Sequence, residues 1–151
     1  NMSGAFSGCS SLKRITIPDS VTNISGAFSG CESLESITIP NQITNLGYST
    51  FRNCSNLKNI ELPDSLTFIG ESAFENCTSL TSLTMPNTLT EVGPSVFNSC
   101  SNLSNVTLSE NLEGLSGWMF VNCTSLSTLV IPDSVKSIGY LTFSGCTNLN
   151  N

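Results

Sequence analysis

The chain has 151 residues, of which 38% are apolar and only 11% charged, and it carries a net charge of −6. That length suits one domain. Five Lys and Arg leave no basic footprint for nucleic acid, and the absence of His removes the commonest general base and metal ligand. Polarity comes instead from 26 Ser, 16 Thr and 17 Asn, which excludes a charge-driven disordered segment. No apolar run approaches the roughly 18 residues of a membrane span. Asn1 in place of an initiator Met makes the chain read as a piece of a longer protein, with any targeting segment lost.

One pattern recurs along the whole chain. Cys9, Cys31, Cys54, Cys77, Cys100, Cys123 and Cys146 are spaced by 22 residues once and by 23 thereafter. Each has a Phe three residues before it, from Phe6 to Phe143, and a Leu three residues after it, from Leu12 to Leu149. Two aliphatic residues follow in alternation: Ile15/Ile17, Ile37/Ile39, Ile60/Leu62, Leu83/Met85, Val106/Leu108 and Leu129/Ile131. Pro18, Pro40, Pro63, Pro86 and Pro132 come next, with Ser109 as the exception. A second apolar pair follows each, as in Leu66/Ile69, often closed by a Gly (Gly47, Gly70, Gly93, Gly139). A fixed period with shared apolar columns predicts a solenoid: residues 1–151 form a single domain of about six and a half coils.

Within one coil, the alternation Ile60/Leu62 predicts a short strand with one face inward. Pro63 ends it, since it has no N–H for a ladder, and Asp64-Ser65 turn the chain. Leu66 to Gly70 predicts a second extended stretch, with Leu66 and Ile69 inward and Gly70 at positive φ. Glu71 to Cys77 fits one helical or 3₁₀ turn. A single coil cannot bury its apolar side alone, so stacked coils bury Phe, Cys, Leu and Ile in continuous columns.

The runs Leu57 to Cys77 (LKNIELPDSLTFIGESAFENC) and Leu126 to Cys146 (LSTLVIPDSVKSIGYLTFSGC) resemble the BspA-like leucine-rich repeats, type LRR_5. The resemblance covers essentially the whole chain. It implies a right-handed, curved β-rich solenoid with a parallel sheet on its concave face. It also implies a secreted or surface-anchored protein, with host matrix proteins or other cells as partners, and no catalytic residues to carry over. The first repeat has lost one residue between Ile24 and Phe28. The fifth departs with Ser109, Ser116 and the pair Trp118-Met119.

Each Cys stands alone in its coil, unlike the clustered pairs of a zinc site. Disulfides are within Cα reach but would need side chains that point at each other. A column of small buried residues is the reading the pattern favours. An enzyme is not expected: Ser and Thr abound, but no His activates them. The carboxylates Asp19, Asp64 and Asp133 share a column with Asn41, Asn87 and Glu110 at a turn position. No cofactor and no metal are implied. Asn-x-Ser/Thr occurs at Asn1, Asn23, Asn53, Asn76, Asn102, Asn105 and Asn122, which are candidate glycosylation sites in a secreted eukaryotic protein.

Two surfaces are candidates for a partner. The outward strand positions are Arg14, Thr16, Ser36, Thr38, Asn59, Glu61, Ser82, Thr84, Asn105, Thr107, Thr128 and Val130. They are mostly small neutral hydrogen-bonding groups, suited to protein or carbohydrate. Tyr48, Phe68, Trp118 and Tyr140 form a second set at exposed, variable columns. The expected function is a non-catalytic binding or adhesion module of an extracellular or cell-surface protein. The alternative is a spacer, scaffold or filament unit that self-associates through open coil ends.

Overall fold

The two-residue alternation around Leu83 exposes Ser82 and Thr84 and buries Leu83 and Met85. It builds β3 (Ser82–Thr84), which pairs in parallel with β5 (Asn105–Thr107). The computed structural model describes residues 1–150. Ser82 faces Asn105, Leu83 faces Val106 and Thr84 faces Thr107, so the register equals the sequence repeat. An isolated parallel bridge, Thr38 to Glu61, carries the same column toward the N terminus.

The second extended stretch of each coil forms its own ladder. β1 (Asn45–Leu46), β2 (Phe68–Ile69) and β4 (Glu91–Val92) make one parallel sheet. β6 (Gly114–Leu115) and β7 (Ser137–Ile138) make another. The break between them falls at Ser116. In neighbouring coils a glycine amide bonds the coil before, as in Gly70 N to Leu46 O and Gly139 N to Leu115 O. At Ser116 the side-chain Oγ takes the Val92 carbonyl instead. Each strand segment is linked to the next stretch by a turn closed on the Pro carbonyl, for example Leu66 N to Pro63 O at 3.0 Å. Ser109, which stands in the Pro column, is fully buried, and its Oγ donates to Leu89 O at 2.7 Å.

The core runs along the solenoid axis. Rings of Phe6, Phe28, Phe51, Phe74, Phe97, Phe120 and Phe143 stack one on the next, with centroids 5.4 to 5.8 Å apart. Cys31, Cys54, Cys77, Cys100 and Cys123 are fully buried beside them, as are Leu34, Leu57, Leu80, Leu103 and Leu126. Each coil therefore completes its core with side chains from the coils above and below.

Two expectations are corrected. The segment Glu71 to Cys77 is neither helical nor 3₁₀, and no helix occurs among the described residues. Its amides alternate in direction. Ala73, Glu75 and Cys77 bond back within the coil, while Ser72, Phe74 and Asn76 donate to Pro94, Val96 and Asn98 of the next coil. Ser72 and Asn76 reach this geometry in the left-handed region, at φ 56° and 60°, which breaks any helix. Gly70 is not among the residues at positive φ. It is needed because a Cβ there would lie 2.6 Å from Tyr48 N and 2.7 Å from Gly47 C, inside the backbone of the coil before.

Candidate functional site

The period-two alternation that buries Ile60 and Leu83 turns their neighbours outward. All twelve strand-face candidates, Arg14 through Val130, are exposed. Thr38, Asn59, Glu61, Ser82 and Thr84 surround one trough, closed toward the turns by Pro63 and Pro86. Hydroxyl and amide groups dominate its rim, and Glu61 supplies its one carboxylate apart from Asp64 at the turn. A shallower hollow lies beside it, between Arg14, Thr16, Ser36 and Thr38. Arg14 is not a free cation on this face: its guanidinium lies 3.6 Å from the Glu35 carboxylate. The face therefore presents many modest neutral hydrogen bonds and little net charge.

The second set divides. Trp118 and Tyr140 meet edge to face with ring centroids 5.8 Å apart, and both are exposed. Tyr48 is exposed in the column of Tyr140, but Glu71, Pro94 and Gly117 occupy that column in the coils between. Phe68 is a correction: it lies in β2, is half-buried, and pairs with Asn45 and Glu91 in a different column. Leu141 escaped the sequence reading, because a Leu reads as core. It is exposed, directly follows Tyr140 and shares the column of Trp118. Column counting against Ser49, Ser72 and Ser95 was the signal that would have found it.

The thiols do more than fill space. Each Cys from Cys31 to Cys146 donates its S–H to the Phe carbonyl of the coil before, at 3.0 to 3.2 Å. That carbonyl also accepts the amide of its own coil's Cys, as in Cys54 N to Phe51 O. Burial pushes the Cys54 and Cys100 thiols up to about 12 and raises Cys77 and Cys123 as well. All seven cysteines are free thiols, Cys9 exposed and Cys146 half-buried. Among the described residues no cluster of three His, Cys, Asp or Glu could hold a metal.

The Asn-x-Ser/Thr sites differ in setting. Asn53 and Asn76 are half-buried at positive φ, and Asn76 Nδ2 donates to Asn53 Oδ1 at 2.9 Å. Asn23 Oδ1 accepts the Ser25 amide. Asn102, Asn105 and Asn122 are exposed.

A parallel coil stack with Phe, Cys and Leu columns defines a leucine-rich repeat solenoid. The chain belongs to the BspA type leucine rich repeat family, matching it in six copies over residues 2–26 and 25–150. The chain is similar to a leucine-rich repeat protein of T. pallidum: 34% identity, TM-score 0.93, over 99% of this chain and 70% of that one. A leucine-rich repeat protein from Bacteroides ovatus gives the same identity and TM-score over 99% of this chain and 39% of its own. A leucine rich cell surface protein from Faecalibacterium prausnitzii is 26% identical with a TM-score of 0.64, over 93% of this chain and 47% of its own. The chain thus spans less than half of the latter two. No curated protein matches it by sequence. The matching family is a repeat region and not a catalytic one.

Proposed function

We propose that this chain is a non-catalytic binding module of a surface or secreted protein, and that it holds a protein or carbohydrate partner on its strand face. The observation that carries the reading is the trough around Glu61, where Thr38, Asn59, Ser82 and Thr84 converge without a buried charge or an enclosed cavity. Such a surface recognises an extended partner by repeated hydrogen bonds, each contributing about 0.5–1.5 kcal/mol net. Affinity then depends on how many coils are engaged. The surface setting is supported by the F. prausnitzii relative, described as a cell surface protein. Binding of a panel of matrix proteins and glycans to the native chain tests the reading. Thr38→Lys with Thr84→Lys is expected to abolish binding while leaving the fold intact. Binding that survives both changes contradicts it.

A further inference from the structure

We infer that a hollow on the side formed by the residues before each Cys, walled by Tyr48, Arg52, Glu71 and Asn98, is a subsite for a neutral pyranose sugar, separate from the strand face.

The hollow arises from one backbone need. Ser49, Ser72 and Ser95 occupy one column in three successive coils and lie in the left-handed region, at φ 51°, 56° and 58°. That conformation favours small side chains. The flanking columns carry long ones: Tyr48 and Glu71 on one side, Arg52, Glu75 and Asn98 on the other. A row of short side chains between two rows of long ones leaves a trench with hydroxyls on its floor. The coil before has Gly26 and Ser29 in these columns, and the coil after has Trp118 and Val121. The charged lining is therefore confined to these three coils.

The groups around the trench are not used up by the fold. Ser55, Ser65 and Ser104 donate their hydroxyls to a carbonyl of the coil before. The hydroxyls of Ser49, Ser72 and Ser95 have no such partner among the described residues. Arg52 spends one terminal nitrogen on Glu75 Oε1, at 3.2 Å, which fixes the guanidinium and leaves its other N–H groups and the second Glu75 oxygen free. Asn98 Oδ1 accepts the Ser99 hydroxyl at 2.9 Å, so the amide is held while its Nδ2 donors stay open. Glu71 is exposed and makes no ion pair among the described residues. Tyr48 stands at the edge, 68% exposed and without a ring partner among the described residues.

This chemistry selects a sugar. Tyr48 is the one aromatic or aliphatic side chain of the lining, so an apolar anchor from a protein partner finds no pocket to fill. A pyranose carries hydroxyls around its rim and a C–H face, which suits planar donors and acceptors beside one aromatic ring. Arg52 set against Glu71 and Glu75 leaves one negative charge in excess, which disfavours acidic and sulfated sugars. The sugar is therefore neutral.

Saturation-transfer NMR and calorimetry on the native chain test this, with neutral hexose and N-acetylhexosamine oligosaccharides as probes and uronate-bearing and sulfated chains as comparison. The expected result is weak binding of at least one neutral oligosaccharide, with transfer from Tyr48 ring protons. Tyr48→Ala changes an exposed side chain and weakens binding by about tenfold or more. Ser95→Trp fills the trench with the residue that Trp118 places in this column one coil on, so the backbone accepts it and binding is lost. Thr38→Lys with Thr84→Lys leaves binding at this hollow unchanged. Binding by none of the neutral probes overturns the inference, and so does binding confined to acidic chains or to a protein. Folded Tyr48→Ala and Ser95→Trp variants that bind like the parent also overturn it. If binding is lost only in the Thr38 and Thr84 variant, the sugar lies on the strand face and the proposed function stands without this subsite.

Discussion

The Sγ of Cys77 donates to the carbonyl oxygen of Phe51, 3.1 Å away in the coil before. The same bond recurs at each cysteine from Cys31 to Cys146 and ties every Phe–Cys step to its neighbour. A methyl group at this position would fill much of the space but leave the carbonyl one donor short.

Reactivity follows from this placement. At mildly alkaline pH, thiol labelling of the native chain is expected to modify Cys9 quickly and leave Cys54, Cys77, Cys100 and Cys123 untouched until unfolding. Quick modification of any of these four in the folded chain would contradict the buried column.

A pH dependence of stability follows as well. The Cys54 thiol rises from 9.0 in the unfolded chain to about 12 in the fold. The folded state therefore favours the protonated form. Its contribution is complete below pH 9 and is lost as pH climbs from 9 toward 12. Denaturant midpoints measured from pH 7 upward are expected to hold to about pH 9 and then fall. A midpoint unchanged through pH 11 contradicts the assignment.

Position along the stack sets the cost of a core truncation. Phe74 has a stacked ring on both sides, Phe51 at 5.4 Å and Phe97 at 5.6 Å, whereas Phe6 has only Phe28 at 5.8 Å. Phe74→Ala is expected to destabilise by roughly 3–5 kcal/mol and Phe6→Ala by clearly less. Equal losses in chemical denaturation would mean that the coils do not act as a linear stack.

Glycines separate into two kinds. Gly70→Ala drives a Cβ into the Tyr48 and Gly47 backbone and is expected to cost about 3 kcal/mol, the upper end of overpacking. Gly26→Ala has open space, with Tyr48 O at 3.9 Å, and costs about 1 kcal/mol from its φ of 62° alone. A larger loss at Gly26 than at Gly70 would reverse the assignment.

These cases show which parts of the fold are legible in sequence. Phe, Cys and Leu keep one identity at each repeat position, so their columns and the strand alternation are read directly. Left-handed positions are hidden, because Gly26, Ser49, Ser72 and Trp118 meet the same backbone need with different residue types. Gly70 suggested the wrong reason, since close approach and positive φ both call for glycine. The S–H bonds are invisible because a small buried residue and a weak donor look alike on paper. Of the candidate surfaces, the strand face follows from period two. The aromatic set depends on column and on coil: Phe68 lies in a different column, and Tyr48 shares the column of Tyr140 but stands several coils away from Trp118.

The central claim is that the strand face binds through neutral hydrogen bonds rather than through charge. Its most direct measurement is the affinity for a protein or glycan that binds the native chain, titrated at low and at high salt. The account predicts an affinity that barely changes, since Thr38, Ser82 and Thr84 carry no charge to screen. An affinity that collapses as salt rises would contradict it.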